Sequence, residues 1–154
     1  MGDTTGKSAA EALTVLRTLL AGQRLAVLAT QGPEYPYTSL VAVHADDELR
    51  HVFFTTARAT RKFDFLTAEP RVSLLVDSRS DDDLDFHGAV AATAVGAARE
   101  LEGDERDAPL AAFVARHPQL RGFASDPSSA LVEIAVETWY VVSRFQDVTE
   151  LRME

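Results

Sequence analysis

The chain of 154 residues contains no cysteine. That absence excludes disulfides, thiolate metal ligands, iron–sulfur clusters and cysteine nucleophiles together, and it is compatible with a reducing cytoplasm. Lysine is nearly missing as well: Lys7 and Lys62 are the only two, so thirteen of the 15 basic residues are arginine. Acidic residues number 24, the net charge is -9, and the isoelectric point is near 4.9. Such a surface does not broadly attract nucleic acid or an anionic membrane, so an anionic ligand has to find a local basic pocket. No run approaches the about 18 consecutive apolar residues of a membrane span, and the N-terminus lacks the basic-then-apolar order of a secretion signal. A cytoplasmic protein is expected, with no nucleic-acid and no membrane partner. Position 6 is glycine, where a myristoylation signal needs Ser or Thr.

Several catalytic signatures are absent too. Neither a G-x-S-x-G elbow nor a G-x-G-x-x-G fingerprint occurs, which leaves a hydrolase elbow and a Rossmann cofactor site unsupported. Gly6-Lys7-Ser8 looks like the end of a P-loop, but the first glycine of that motif would fall at Met1 and no strand precedes it. His44, His51, His87 and His117 lack zinc-ligand spacing and read as surface or half-buried residues. Asp81-Asp82-Asp83 lacks the spacing and glycine of a calcium loop and reads as a solvated acidic loop.

What is present is a globular composition, 46% hydrophobic and 25% charged, on a length that suits one domain. Residues 1–8 are expected to form a flexible N-terminal arm and 9–154 a single domain. Leu13, Leu16, Leu19 and Leu20 recur at helical spacing after Ser8, a good N-cap, and the helix should stop at Ala21-Gly22. Leu25 to Thr30, Tyr37 to Ala45 and Leu49 to Thr55 read as strands, the last two as an antiparallel hairpin. Thr60 should cap a short helix from Arg61 to Ala68. Val72 to Val76 reads as a buried strand, followed by the acidic loop Asp77 to Asp85 in which Arg79 neutralises its neighbours. Ala89 to Leu101 reads as a long strand with a bulge or close backbone approach at Gly96, helix being the rival. Arg106 to Arg116 reads as helix, His117 to Pro127 as irregular, Leu131 to Val142 as strand, and the tail as a short strand or turn. About six strands and three helices in this order imply an α+β fold around an antiparallel sheet or barrel.

One constellation carries chemistry. Phe53-Phe54-Thr55-Thr56 ends a strand, and Thr60-Arg61-Lys62 opens a helix. At a helix start the backbone N–H groups lack partners and the dipole is positive, so Arg61 and Lys62 stand at the unfavourable end. A bound phosphate would account for them, accepting from N–H groups, threonine hydroxyls and both cations. Spacing alone leaves a second account open, in which the two cations reach solvent or pair with acidic loops. Arg58 adds a third positive charge to residues 58–62, which contain no acid.

Thr38-Ser39-Leu40-Val41-Ala42-Val43, Phe53-Phe54-Thr55-Thr56, Thr60-Arg61-Lys62 and Glu69-Pro70-Arg71-Val72-Ser73-Leu74-Leu75 resemble, in order and spacing, the consecutive motifs of the pyridoxamine 5'-phosphate oxidase-like FMN-binding split barrels. The resemblance covers residues 13–101 well and continues weakly through Trp139-Tyr140-Val141-Val142. It implies a six-stranded antiparallel split β-barrel with flanking helices, and a homodimer with FMN at the subunit interface. It implies that Arg61 and Lys62 hold the FMN phosphate, with Thr60 in front of them. Phe54 and Thr55 would lie by the flavin and phosphate, Thr55 donating its hydroxyl. Thr38, Ser39, Leu40 and Val41 would line the flavin edge, partly through backbone groups. The implied activity is an FMN-dependent oxidoreductase acting on a small-molecule substrate.

The departures from the family pattern narrow this. Ser39 and His44 stand where the true pyridoxamine phosphate oxidases carry Arg and Lys, Ala91 stands in place of their flavin-contacting Gln, and their C-terminal Arg-x-His motif is missing. Pyridoxine phosphate oxidation is therefore not the implied reaction. Relatives that bind deazaflavin or haem supply alternatives, including a non-catalytic carrier of the cofactor or a scaffold that has lost it. Phe113 to Pro118 resembles the haem-handling branch, but His117 before Pro118 reads as a cap or surface residue. Trp139 and Tyr140 read as core, with flavin or interface contact as the alternative. Arg144 could meet a flavin or phosphate.

Overall fold

The computed structural model describes residues 8–144 and 147–154. Seven residues of the expected N-terminal arm lie outside the described residues; Ser8 belongs to the domain, where its hydroxyl accepts from the Glu11 N–H at 3.2 Å and caps α1 (Ala9–Gly22). The elements that follow are β1 (Leu25–Gln31), β2 (Pro36–Ala42), β3 (His44–Ala45), β4 (His51–Ala57), α2 (Arg61–Ala68), β5 (Arg71–Asp77), α3 (Asp85–Gly88), β6 (Ala91–Leu101), α4 (Asp104–Arg116), a 3₁₀ turn (Pro118–Leu120), α5 (Arg121–Ser125), β7 (Ser129–Ser143) and β8 (Asp147–Arg152).

The sheet runs in the order β2-β1-β5-β6-β7-β4-β3, with β8 on β7, and each of these pairings is antiparallel. Its two ends, β2 and β3, are halves of one stretch of chain separated by Val43. The sheet therefore curls back on itself as a split barrel, the α+β class expected from the sequence. The strand count differs for two reasons. The single strand expected over 37–45 is bent at Val43, its first part pairing with β1 and only His44 and Ala45 forming the hairpin with β4. The tail adds β8 along the second half of β7.

Strand alternation places the core inside the curl. Ala26 and Leu28 of β1, Val72, Leu74 and Val76 of β5, Ala92 and Ala94 of β6, and Val132 and Ile134 of β7 are all buried with Phe54 and Trp139. β5 is less enclosed than its apolar run suggests, since Leu75 points outward. Gly96 is a bulge against β7: a Cβ there would collide with the Ala135 carbonyl oxygen, which is the close backbone approach expected of that glycine and excludes the helical alternative. Trp139 is fully buried and donates from Nε1 to the Leu49 carbonyl at 2.9 Å, so it is core, as expected; Tyr140, next in β7, is half-buried.

Helix α2 packs on β1, β2 and β6 through Phe63 and Leu66, and α1 packs on β5, β7 and β8. The segment 118–125 is not irregular. Pro118 occupies the first position of the 3₁₀ turn, where its missing N–H is not needed, and Ala124 of α5 is anchored against Phe113 and Val114 of α4. In the acidic stretch Arg79 pairs with Asp77 at 3.1 Å, as expected.

Candidate functional site

The split of the barrel lies between β2 and β4. From Thr38 to Val41, β2 spends one edge on β1; its other edge has no strand partner among the described residues. β4 is paired with β3 only at Phe53 and Val52, so from Phe54 onward its edge opposite β7 is also unpaired. These two unpaired edges converge on the start of α2.

That start is built by threonines. Thr60 Oγ1 accepts from the Phe63 N–H at 3.3 Å and lies 2.9 Å from the Ala57 carbonyl and 3.1 Å from Thr56 Oγ1. The hydroxyl is thus committed to the cap, worth about 1 kcal/mol. The next two N–H groups, of Arg61 and Lys62, find no acceptor among the described residues, and neither side chain has a hydrogen-bond or carboxylate partner there. Of the second account, pairing with acidic loops does not occur among the described residues, whereas reaching solvent stays open, since Arg61 is exposed and Lys62 half-buried. A first-turn Asp64 is exposed and does not reach them.

Arg58 differs. Its guanidinium grips Glu100, with Nη2 to Oε2 at 2.6 Å and Nε to Oε2 at 3.1 Å, and Nη1 donates to the Pro127 carbonyl at 2.7 Å. The Glu100 hydrogen bond is the main cause holding Arg58 more firmly protonated than usual. The positive site therefore consists of two cations, not three.

The other expected residues divide by strand phase. Thr38 and Leu40 point outward and are exposed, while Ser39 and Val41 point inward. Val41 and Phe54 are buried in the barrel core; their side chains are not available to a ligand and any contact they make is through backbone. Thr55 is half-buried, on the opposite face of β4 from Phe54. Ser39 Oγ is a buried hydroxyl with no hydrogen-bond partner among the described residues, an orphan that a bound polar group could satisfy. Unpaired cations, free helical N–H groups, unpaired strand edges and this hydroxyl together suit an anionic ligand carrying hydrogen-bonding groups, a phosphate ester above all.

His117 is a cap, as expected, but not a surface residue. It ends α4 and is 4% exposed, and its Nε2 donates to the Val43 carbonyl at 2.8 Å. A ring nitrogen committed in this way is not free to ligate iron. Its neighbour Arg116 donates to the Leu20 and Gln23 carbonyls at 2.7 and 2.8 Å, supplying the positive end that α1 lacks in its own last turn. Burial is the main cause that lowers the His44 pKa, followed by the charges of Arg116 and His117. Arg144 stands in the left-handed region at φ 50° and is exposed.

Beside Arg61 opens a groove of about 320 Å³ lined by residues 32–37 of the β1–β2 turn and by Phe65 of α2. It was not singled out in the sequence, where Tyr35 between Pro33 and Pro36 reads only as a turn.

A model of the family described as pyridoxamine 5'-phosphate oxidase matches residues 13–143. No curated protein matches the chain. Among solved structures, a haem binding protein from Mycobacterium smegmatis superposes with a TM-score of 0.81 at 21% identity, covering 96% of this chain and 59% of that one. The General Stress Protein 26 of Bacillus anthracis superposes with a TM-score of 0.67 at 22% identity, over 89% of this chain and 95% of that one. A FAD-binding protein from Mesorhizobium loti gives 0.66 at 20% identity, over 83% and 89%. At these identities the likeness is one of fold. This chain spans less than two thirds of the mycobacterial protein.

Proposed function

The chain belongs to the pyridoxamine 5'-phosphate oxidase family, and from that premise we propose that it holds FMN in the split between β2 and β4 and serves as an oxidoreductase for a small-molecule substrate. The observation that carries the proposal is the unpaired state of Arg61 and Lys62 at the start of α2. A flavin, when bound, supplies the hydride and electron chemistry itself. The residues of this chain bind and orient. Arg61 and Lys62 neutralise the phosphate together with their own N–H groups, the β2 edge from Thr38 to Val41 and the β4 edge at Phe54 and Thr55 offer backbone groups to the ring system, and Ser39 offers its hydroxyl.

The FAD-binding neighbour from Mesorhizobium loti supports a flavin. The haem-binding neighbour keeps haem as the second reading, with deazaflavin as a third; burial of His117 and the commitment of its Nε2 to the Val43 carbonyl weigh against it as an iron ligand. Ser39, His44 and Ala91 take the substrate away from pyridoxine phosphate.

A homodimer belongs to the same proposal. Leu40, Val27, Leu75, Thr93 and Tyr140 follow one another across the outer face of β2, β1, β5, β6 and β7, and Leu40 is 64% exposed there. A second copy would cover this row, which otherwise stays in water.

The test is the visible spectrum of the purified protein, mass analysis of the released small molecule, and light scattering for the mass of the particle. A yellow dimer releasing FMN supports the proposal. A protein that takes up no flavin rules it out.

A further inference from the structure

A cavity of about 210 Å³ opens where α1, the β3–β4 turn and the end of α4 meet, with His44 in its wall. Arg17, Leu20 and Ala21 line it from one face of α1, as residues three and four apart do, and Arg116 lines it from the last turn of α4. The turn opposite them is rigid. The Asp46 carboxylate accepts from the Arg50 and His51 N–H groups at 2.9 and 3.2 Å and meets His51 Nδ1 at 2.7 Å. Leu49, also in the wall, is held in the left-handed region at φ 61°. Its N–H donates to the Asp46 carbonyl at 3.1 Å and its carbonyl accepts from Trp139 Nε1 at 2.9 Å. A large aliphatic residue rarely stands in that region, and such strain persists where the surroundings over-determine it, as they do at binding sites.

The wall is rich in donors that the fold does not use. Arg17 spends Nη1 on the Asp47 carbonyl at 2.6 Å, and Arg116 spends Nη2 on the carbonyls at the end of α1. The remaining guanidinium nitrogens of both find no acceptor among the described residues, and the His44 side chain makes no hydrogen bond there either. Of the two carboxylates in the wall, Asp46 is committed to the turn. Asp47 is exposed and pairs with neither guanidinium. The field is positive on balance: at the His44 imidazole the charges of Arg116 and His117, after burial, outweigh the opposite effects of Asp47 and Asp46.

This pattern selects its occupant. A guanidinium takes a carboxylate through two parallel hydrogen bonds. The free Asp47 carboxylate repels a second negative charge and accepts from a hydroxyl or ammonium group. The volume is below the about 300–1,000 Å³ of ordinary ligand pockets, which restricts the ligand to a few non-hydrogen atoms. We propose that the cavity binds a small monocarboxylate carrying a hydrogen-bond donor on its second carbon, an α-hydroxy or α-amino acid, with the carboxylate on Arg17 and Arg116 and the donor on Asp47. No residue of this wall belongs to the start of α2, so the inference stands apart from the flavin reading.

The experiment follows the imidazole proton resonances of His44 by NMR in the full chain, assigned by their loss in His44→Gln, while glycolate, glycine, acetate and malonate are titrated at constant pH and ionic strength. The expected result is a saturable shift with glycolate or glycine, the tighter of the two identifying the donor as hydroxyl or ammonium. Acetate, which lacks the donor, and malonate, which brings a second charge to Asp47, should each bind at least about tenfold more weakly. Arg17→Ala should weaken binding of the preferred acid by about tenfold or more, and Asp47→Ala should bring acetate level with it. Both side chains are exposed, so thermal melts matching the wild type separate lost binding from lost fold. No saturable shift with any of the four, acetate or malonate binding the wild type as tightly as glycolate and glycine, or an Arg17→Ala variant that binds like the wild type, overturns the site and leaves the flavin reading untouched.

Discussion

His117 Nε2 lies 2.8 Å from the carbonyl oxygen of Val43, the residue at which one stretch of chain leaves β1 for β4. A strand that changes partners leaves a backbone carbonyl outside both ladders, and a buried carbonyl without a donor is costly. Here the Val43 N–H is taken by the Arg24 carbonyl at 3.0 Å and the carbonyl by the imidazole, so both groups of the corner residue are satisfied. The end of α4 thus fastens the corner that makes the barrel split.

His117→Ala should therefore destabilise the fold by about 1–3 kcal/mol for the orphaned carbonyl, before any cost of the cavity left beside Phe113, whose ring lies 4.9 Å from the imidazole. At roughly 2–4 °C per kcal/mol for a chain of this size, the melting temperature is expected to fall by several degrees. An unchanged melting curve would show that the corner holds without this bond.

The features legible in the sequence were those whose partners are near in the chain. Ser8 and Thr60 act three residues ahead, and Gly96 announces its own bulge. What was illegible depends on residues far apart. Arg116 reaches carbonyls more than ninety positions away, and Arg58 is claimed by Glu100 rather than left for a phosphate. The burial of the Phe54 side chain was not legible either, for a reason visible in β4. Val52, Phe53 and Phe54 are all buried because both faces of the strand are covered, Phe53 packing with Leu101 and Leu131. With no alternation, nothing in the run indicates which aromatic faces the core.

The division of labour between Arg58 and its neighbours can be tested directly. Replacing Arg61 and Lys62 by Ala should weaken FMN binding by about 10- to 1000-fold, taking about 1.5–3 kcal/mol for a charge-assisted hydrogen bond and allowing for non-additivity. Arg58→Ala should leave FMN affinity unchanged, since its guanidinium is already spent on Glu100 and Pro127. Equal losses in the two variants would place the phosphate elsewhere.

Gly96→Ala probes the close approach of β6 and β7. The added carbon would meet the Ala135 carbonyl oxygen, a backbone atom that cannot swing aside as a side chain can. Overpacking of this kind costs about 1–3 kcal/mol, and a urea titration should show the midpoint falling with the slope preserved. A variant as stable as the wild type would mean that the bulge relaxes freely.

The last expectation concerns acid. Burial first, then the positive charges of Arg116 and His117, lower the His44 pKa below its ordinary 6.5, against weaker raising effects of Asp47 and Asp46. The unfolded chain then binds a proton in a range of pH where the folded protein does not. Stability consequently rises with pH between the lowered value and 6.5 and is lost as pH falls through that window. Half-buried Glu69 and exposed Asp126, whose pKa values are lowered chiefly by hydrogen bonds from Arg71 and Ser128, act in the same direction but within the carboxylate range. The two contributions separate by pH. His44→Gln should flatten the dependence of the urea midpoint around pH 6 while leaving the steeper acid limb in place. The slope is the diagnostic rather than the stability itself, because His44 also stacks on Phe53 at 6.5 Å and its loss lowers the whole curve. A variant that keeps the wild-type slope near pH 6 would assign that dependence to another group.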